Sequence, residues 1–382
     1  MKLTCKQPDL AKGLSTVSHA VSSRTTLPIL SNILLVAEGE QVRLSATNLE
    51  IAITCYVPAN IQEPGTTTIP AKLLTDFVNS LPTADVKLEL PEDGNHALKV
   101  SGQGGQATIR GMDAGDYPTI PSGDEGEQAI TLDAAELRRM ITQVSFAAAT
   151  DEARPVFTGV LVRVRDERVT MAAADSVRLA VATSELPGAP NAGDVLIPAR
   201  TLTELARILP TEGSAQMIVT PNRNQALFRA GEVEMVSNLI SGQFPNFEAI
   251  LPKSHSTRVT VPTEPFRLAA RRATLFARDS ANIVKLTVAP GEQGGLTPGI
   301  VTLAATAENA GDTTNNIEEA AVDGPGIEII FNVKFLTDVL GVLETPQVAL
   351  ELNSPQQPGV VRPGGAEGEK YTYVIMPMHN TR

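Results

Sequence analysis

Hydrophobic positions spaced i, i+3, i+4 and i+7 recur in three stretches of the chain that read as editions of one amphipathic helix. The first is Ile69-Pro-Ala-Lys-Leu-Leu-Thr-Asp-Phe-Val-Asn-Ser-Leu-Pro82; the second runs from Ile197 to Pro210 and the third from Phe331 to Glu344. Leu74, Leu202 and Leu336 share a register, as do Phe77, Leu205 and Val339, then Val78, Ala206 and Leu340, then Leu81, Leu209 and Leu343. A base (Lys72, Arg200, Lys334), a threonine (Thr75, Thr203, Thr337) and an acid (Asp76, Glu204, Asp338) keep step with them. Pro or Asn just ahead is helix-start chemistry. The copies begin roughly 128 and then 134 residues apart, which is domain size and far beyond a solenoid period. The pattern predicts a threefold duplication of a whole domain.

Alternation with period two fills most of the remainder and predicts strands in the same order in each third. In the first third they fall at 2–6, 33–37, 41–46, 48–57, 86–90, 97–101 and 106–110, with a further helix over 9–21. The second third repeats this with a helix from Asp133 to about Ala148, and the last with one over 264–278. Two Gly/Pro-rich segments, 290–299 and 355–368, read as surface loops. Linkers carrying Tyr117-Pro118 and Phe244-Pro245 divide the chain into domains 1–123, 124–253 and 254–382. Each has two helices on antiparallel sheets, an α+β layout.

Charge changes this picture. The chain carries a formal net charge of −12, which argues against a nucleic-acid partner if taken whole. Yet the six helix windows hold eleven bases against six acids, so the rest is more acidic still. On the 264–278 helix, Arg267, Arg271 and Arg278 fall within about 40° of one another while Phe266, Ala269 and Ala273 point elsewhere. If the helices of all copies share one side, head-to-tail units make an arc with a basic lining, suited to phosphates without base readout.

Nothing catalytic stands out. No phosphate-binding loop occurs, the four histidines lack metal-ligand spacing, and neighbouring acids such as Asp151-Glu152 point apart. No metal or cofactor is expected. Two cysteines, Cys5 and Cys55, predict buried free thiols. With neither a secretory apolar run nor a membrane-length segment, the expectation is a soluble cytoplasmic protein.

Read in order, Arg24-Thr-Thr-Leu-Pro-Ile-Leu30, the Ile-Pro-Ala-Lys/Arg helices, Asp175-Ser-Val-Arg-Leu-Ala180, Gly242-Gln-Phe-Pro-Asn-Phe247 and Tyr373-Val-Ile-Met-Pro-Met378 resemble the bacterial sliding clamps, the β subunits of DNA polymerase III. The resemblance runs from Met1 to about Met378 and implies three tandem clamp domains and a non-enzymatic, ring-forming head-to-tail homodimer around duplex DNA. Implied partners are a replicative polymerase, a clamp loader, and repair-polymerase, mismatch-repair or ligase-type clients. The resemblance also implies a client-peptide pocket lined by Phe157, Ala174, Ser176, Val177, Arg178, Leu179, Pro245, Ile250, Val374, Met376, Pro377 and Met378. Ser176, Val177 and Ala249 depart from the usual pattern there. It places Arg24, Lys72, Arg154 and Arg200 near DNA, and charge counting adds Arg138, Arg267, Arg271 and Arg278. A dimer contact of Leu73 and Phe77 with Leu275 and Phe276 completes the expected set. The competing expectation is a tandem-domain interaction scaffold that never meets nucleic acid.

Overall fold

The computed structural model describes residues 1–22, 26–91, 94–120, 129–291, 298–307 and 311–378. Three successive sets of eight strands and two helices are laid out in one order. The first comprises β1 (Lys2–Lys6), α1 (Gln7–Ser18), β2 (Asn32–Glu38), β3 (Gln41–Thr47), β4 (Ile51–Glu63), β5 (Gly65–Pro70), α2 (Ala71–Ser80), β6 (Asp85–Glu89), β7 (Ala97–Gly102) and β8 (Gly105–Arg110). The second comprises β9 (Ile130–Asp133), α3 (Ala134–Val144), β10 (Gly159–Arg165), β11 (Arg168–Ala174), β12 (Arg178–Glu185), β13 (Gly193–Pro198), α4 (Ala199–Ile208), β14 (Ser214–Val219), β15 (Gln225–Ala230) and β16 (Val233–Asn238). The third comprises β17 (Thr257–Pro262), α5 (Thr263–Ala277), β18 (Ile283–Ala289), β19 (Gly299–Ala307), β20 (Gly311–Asp323), β21 (Ile327–Asn332), α6 (Val333–Val342), β22 (Gln347–Leu352), β23 (Gly359–Pro363) and β24 (Tyr371–Ile375).

Three strands differ from the sequence expectation. β5 and β13, which feed the repeated helices, are legible only in the third copy, where β21 lacks the Gly at the start and the Pro at the end that punctuate the other two. The segment 355–368, expected to be loop, contains β23, which pairs with β22 on one side and β24 on the other. Its Gly and Pro residues sit at the ends, leaving Val360 and Val361 buried between them.

Two compact units emerge, Met1–Arg138 with Thr201–Leu239, and Arg139–Arg200 with Ile240–Arg382, so the strands of the middle copy are shared between them. Each unit holds one sheet of twelve strands. In the first, the order is β8-β7-β6-β1-β4-β16-β15-β14-β9, with β3 on β4, β2 on β3 and β5 on β2. In the second it is β13-β10-β11-β12-β24-β23-β22-β17-β20-β19-β18-β21. Each sheet is continuous because the fourth strand of one copy pairs antiparallel with the eighth strand of the next. β4 meets β16 with Cys55 opposite Val233, and β12 meets β24 with Ala182 opposite Tyr371.

The helices bury the stripe that their spacing predicts. Leu74, Leu202 and Leu336 are fully buried, and so are Val78, Val339 and Leu340, whereas Phe77 is only half-buried. The two helices of each copy are tied at one carbonyl. Gln7 Nε2 donates to Val78 O at 3.0 Å, Arg138 Nε to Ala206 O at 3.0 Å, and Arg267 Nε to Leu340 O at 2.8 Å. Those three acceptors share one position of the repeat, in the last turn of the helix, where carbonyls lack intrahelical donors and a cation is favoured. Cys5 and Cys55 are buried free thiols, pushed by burial up to about 12 and about 11.

Candidate functional site

The second unit contains an open cleft of ≈ 250 Å³ built from three pieces of chain together with Phe157. One is the turn between β11 and β12. There Asp175 Oδ1 accepts from the backbone N–H groups of Val177 and Arg178 at 2.8 and 3.0 Å, so the turn is held by its own first residue. Another is the end of β24, where the N–H of Met376 donates to Val177 O at 2.9 Å. The last is the linker Phe244–Ile250, whose Phe244 packs edge-on against Phe157 at 6.3 Å and against Phe247 at 6.4 Å. Val177, Ile250 and Met376 stand exposed at the mouth, while Ala174, Leu179 and Val374 form the buried floor.

Ten of the expected pocket residues line this cleft, and two do not. Pro377 is buried, and the N–H of Met378 donates to Ile330 O at 2.8 Å, which carries the chain end to the edge of β21 and out of the cleft. The structure adds Asp175, Phe244 and Phe247, all inside motifs whose pattern was visible but whose side-chain direction was not.

Arg178 is occupied. Its Nε donates to Asp175 Oδ2 at 2.9 Å and its Nη1 to Asp338 Oδ2 on α6 at 2.6 Å, with the guanidinium 4.6 Å over the ring of Phe335. Burial disfavours its charge, but Tyr373, Asp338 and Asp175 outweigh that, so its pKa is raised. Arg178 therefore ties the cleft to α6 and presents little free charge to a ligand. Arg154 is different, being exposed, bonded to the hydroxyl of Ser176 and lying 5.0 Å over the Phe157 ring. That places it at the mouth of the cleft.

Among the other expected DNA contacts, Arg138 and Arg267 are corrected. Besides the bonds above, Arg138 Nη2 donates to the carbonyls of Leu209 and Pro210, and Arg267 Nη2 to Leu343 O at 2.7 Å. Both are spent on helix ends. Lys72, Arg200, Arg271 and Arg278 are exposed, and Lys72 pairs with Asp76 one turn on at 2.7 Å. Arg24 lies outside the described residues. Of the expected dimer residues, Leu73 and Leu275 are 56% and 66% exposed, while Phe77 and Phe276 are half-buried. Among the described residues no cluster of three His, Cys, Asp or Glu could hold a metal, and no helix is long and apolar enough to cross a membrane.

Fold and cleft together define a tandem-repeat protein with a small apolar cleft, and comparison with known proteins gives the family. Residues 1–121, 131–246 and 248–379 match the N-terminal, central and C-terminal domains of the DNA polymerase III β subunit. The chain is 34% identical to the β sliding clamp of Synechocystis sp. and 30% identical to that of Staphylococcus aureus, each over 99% of both chains. The sliding clamp of Bacillus subtilis superposes with a TM-score of 0.90 at 29% identity over 100% of this chain and 99% of that one. A Pseudomonas aeruginosa sliding clamp bound to griselimycin gives 0.89 at 29% identity over 99% of each. The chain belongs to the bacterial sliding-clamp family, the DNA polymerase III β subunits, which are processivity factors of DNA replication.

Proposed function

We propose that two copies of this chain close head to tail into a ring around duplex DNA and hold a replicative polymerase to its template, without chemistry of their own. The observation that carries this is the strand joint. The fourth strand of one copy pairs with the eighth of the next twice, as β4 with β16 and β12 with β24. That leaves two unmatched ends. Among the described residues β8 pairs with β7 alone of the named strands, and residues 311–320 of β20 pair only with β19. β20 is the fourth strand of its copy and β8 the eighth of its own, so a second molecule supplies the missing pairing at each end. A heterologous contact of this kind closes or runs on as a filament. Exposed Leu73 and Leu275 add apolar area beside those edges. In this reading the domains are 1–123, 124–253 and 254–382, and Lys72, Arg154, Arg200, Arg271 and Arg278 serve as non-specific phosphate contacts. The cleft takes the apolar end of a client peptide, from the polymerase, the clamp loader, or repair and ligase-type proteins, in the cytoplasm at the nucleoid. Aliphatic, aromatic and methionine walls suit several such clients.

Light scattering on the purified protein is expected to give a dimer. Loaded by an ATP-driven partner, the dimer stays on closed circular duplex and is lost when the circle is cut. A monomer, or equal retention on linear and circular DNA, overturns the ring.

A further inference from the structure

Beside the aromatic wall of the cleft lies a charged cluster whose own members do not line it. Arg163 on β10 forks onto Asp194 of β13, Nε to Oδ1 at 2.9 Å and Nη2 to Oδ2 at 2.8 Å, and its Nη1 reaches Glu248 Oε1 at 2.9 Å. Its guanidinium sits 5.6 Å over the ring of Phe247, which is only 4% exposed. Phe247 meets Phe244 and Phe244 meets Phe157, so the three rings form a row with Arg163 at one end and Arg154 at the other.

We infer that Arg163 is a positioning residue for the client-peptide cleft, holding the linker's aromatic wall against β10 so that the cleft exists before a peptide arrives. The linker Phe244–Ile250 has only one short 3₁₀ turn of its own, at Phe247–Ala249. Its side chains are therefore placed by what they pack on. A guanidinium fixed by two carboxylates is a rigid cationic plate, and a ring beneath it is held by cation–π attraction as well as by burial. Glu248 adds a second tether, one residue from the ring being held. Lysine could keep one ion pair but neither the fork nor the plate. An aromatic wall that need not be ordered on binding raises affinity by slowing dissociation.

The inference rests on the peptide-cleft reading, and its test separates the two. The full-length protein is labelled with 4-fluorophenylalanine, giving ten fluorine resonances for ten Phe. A fluorescein-labelled decapeptide ending in Leu-Phe is the binding probe. Arg163→Gln is expected to sharpen and shift the resonances of Phe247, Phe244 and Phe157, and to weaken the peptide about tenfold through faster dissociation. Arg163→Lys is expected to recover part of both effects. Glu248→Gln leaves the Asp194 fork in place and gives a smaller change in the same direction, a check that survives if Arg163→Gln folds poorly. Wild-type ring spectra together with wild-type affinity in Arg163→Gln overturn the inference. A wild-type protein that ignores the peptide overturns the cleft reading instead, while the ring spectra still decide whether Arg163 positions the wall.

Discussion

The strand joint of the first unit and that of the second share a backbone plan and present different surfaces. In both, the turn before the fourth strand is held by its first residue. Asn48 Oδ1 accepts from the N–H groups of Glu50 and Ile51 at 3.0 and 2.9 Å, as Asp175 does for Val177 and Arg178. The N–H of Asn238 then donates to Glu50 O at 3.0 Å, matching Met376 and Val177. From that point they part. The Asn238 side chain latches the first joint, donating to Leu49 O at 3.0 Å and accepting from Gln225 Nε2 at 3.0 Å. Buried Leu30 and Tyr117 form a cluster of their own beside it, and the phenol bonds Asn32 O at 3.3 Å. In the second joint Met376 has no such bond to offer, Phe157 stands where the repeat has Leu30, and the space is left open. The open cleft here is a structural joint whose last residues were never closed over.

Several substitutions sharpen or break that contrast. The largest effect is expected from Arg178→Met, which leaves half-buried Asp338 and Asp175 without the cation they share and costs about 3 kcal/mol. At the equivalent position of the first joint, Ile51→Met costs less than about 1.5 kcal/mol, since an apolar residue replaces another. Urea midpoints at unchanged slope give both numbers. Next comes Met376→Lys, expected to weaken the Leu-Phe decapeptide by about 2 kcal/mol, or roughly thirtyfold, in an anisotropy titration. Asn238→Lys leaves peptide affinity alone, and a change there refutes the assignment of the cleft to one joint. Asn238→Met removes the latch and is expected to cost about 1 kcal/mol without creating a peptide site.

The smallest effect concerns the thiols. Cys55 lies in the first joint opposite Val233, and its raised pKa of about 11 keeps it protonated at neutral pH. Labelling by a disulfide reagent at pH 8 is expected to be slow until the joint opens. Ala182→Cys puts the same reporter in the second joint, opposite Tyr371, and the ratio of rates compares the two openings. The sign of the pH effect follows from the raised values. The folded state holds these protons more tightly than the unfolded chain, so their contribution is intact below the ordinary thiol value of 9.0 and is lost as pH rises toward about 11 for Cys55 and about 12 for Cys5.

The repeat, both helices of each copy and most strands are legible in the residues alone, because each of those signals is carried by neighbours a few positions apart. Strand β23 was lost to its flanking Gly and Pro residues, although burial on both faces marks it as a central strand. Arg267 fell on a basic stripe with Arg271 and Arg278, and angle alone cannot tell a guanidinium that meets water from one that meets the end of α6. Met378 sat two residues beyond Met376 in the same terminal motif, yet its backbone turns to Ile330.

By itself, then, the chain's pattern determined a threefold α+β repeat with helices more basic than their surroundings, since periodicity and capping are local matters. Tertiary structure decided which strand continues which sheet, which arginines remain free, and where a cleft stays open. Those outcomes depend on partners far apart in sequence, such as Arg178 with Asp338 at a separation of 160 residues. No local preference can specify such a contact; it exists only once two copies of the repeat have docked.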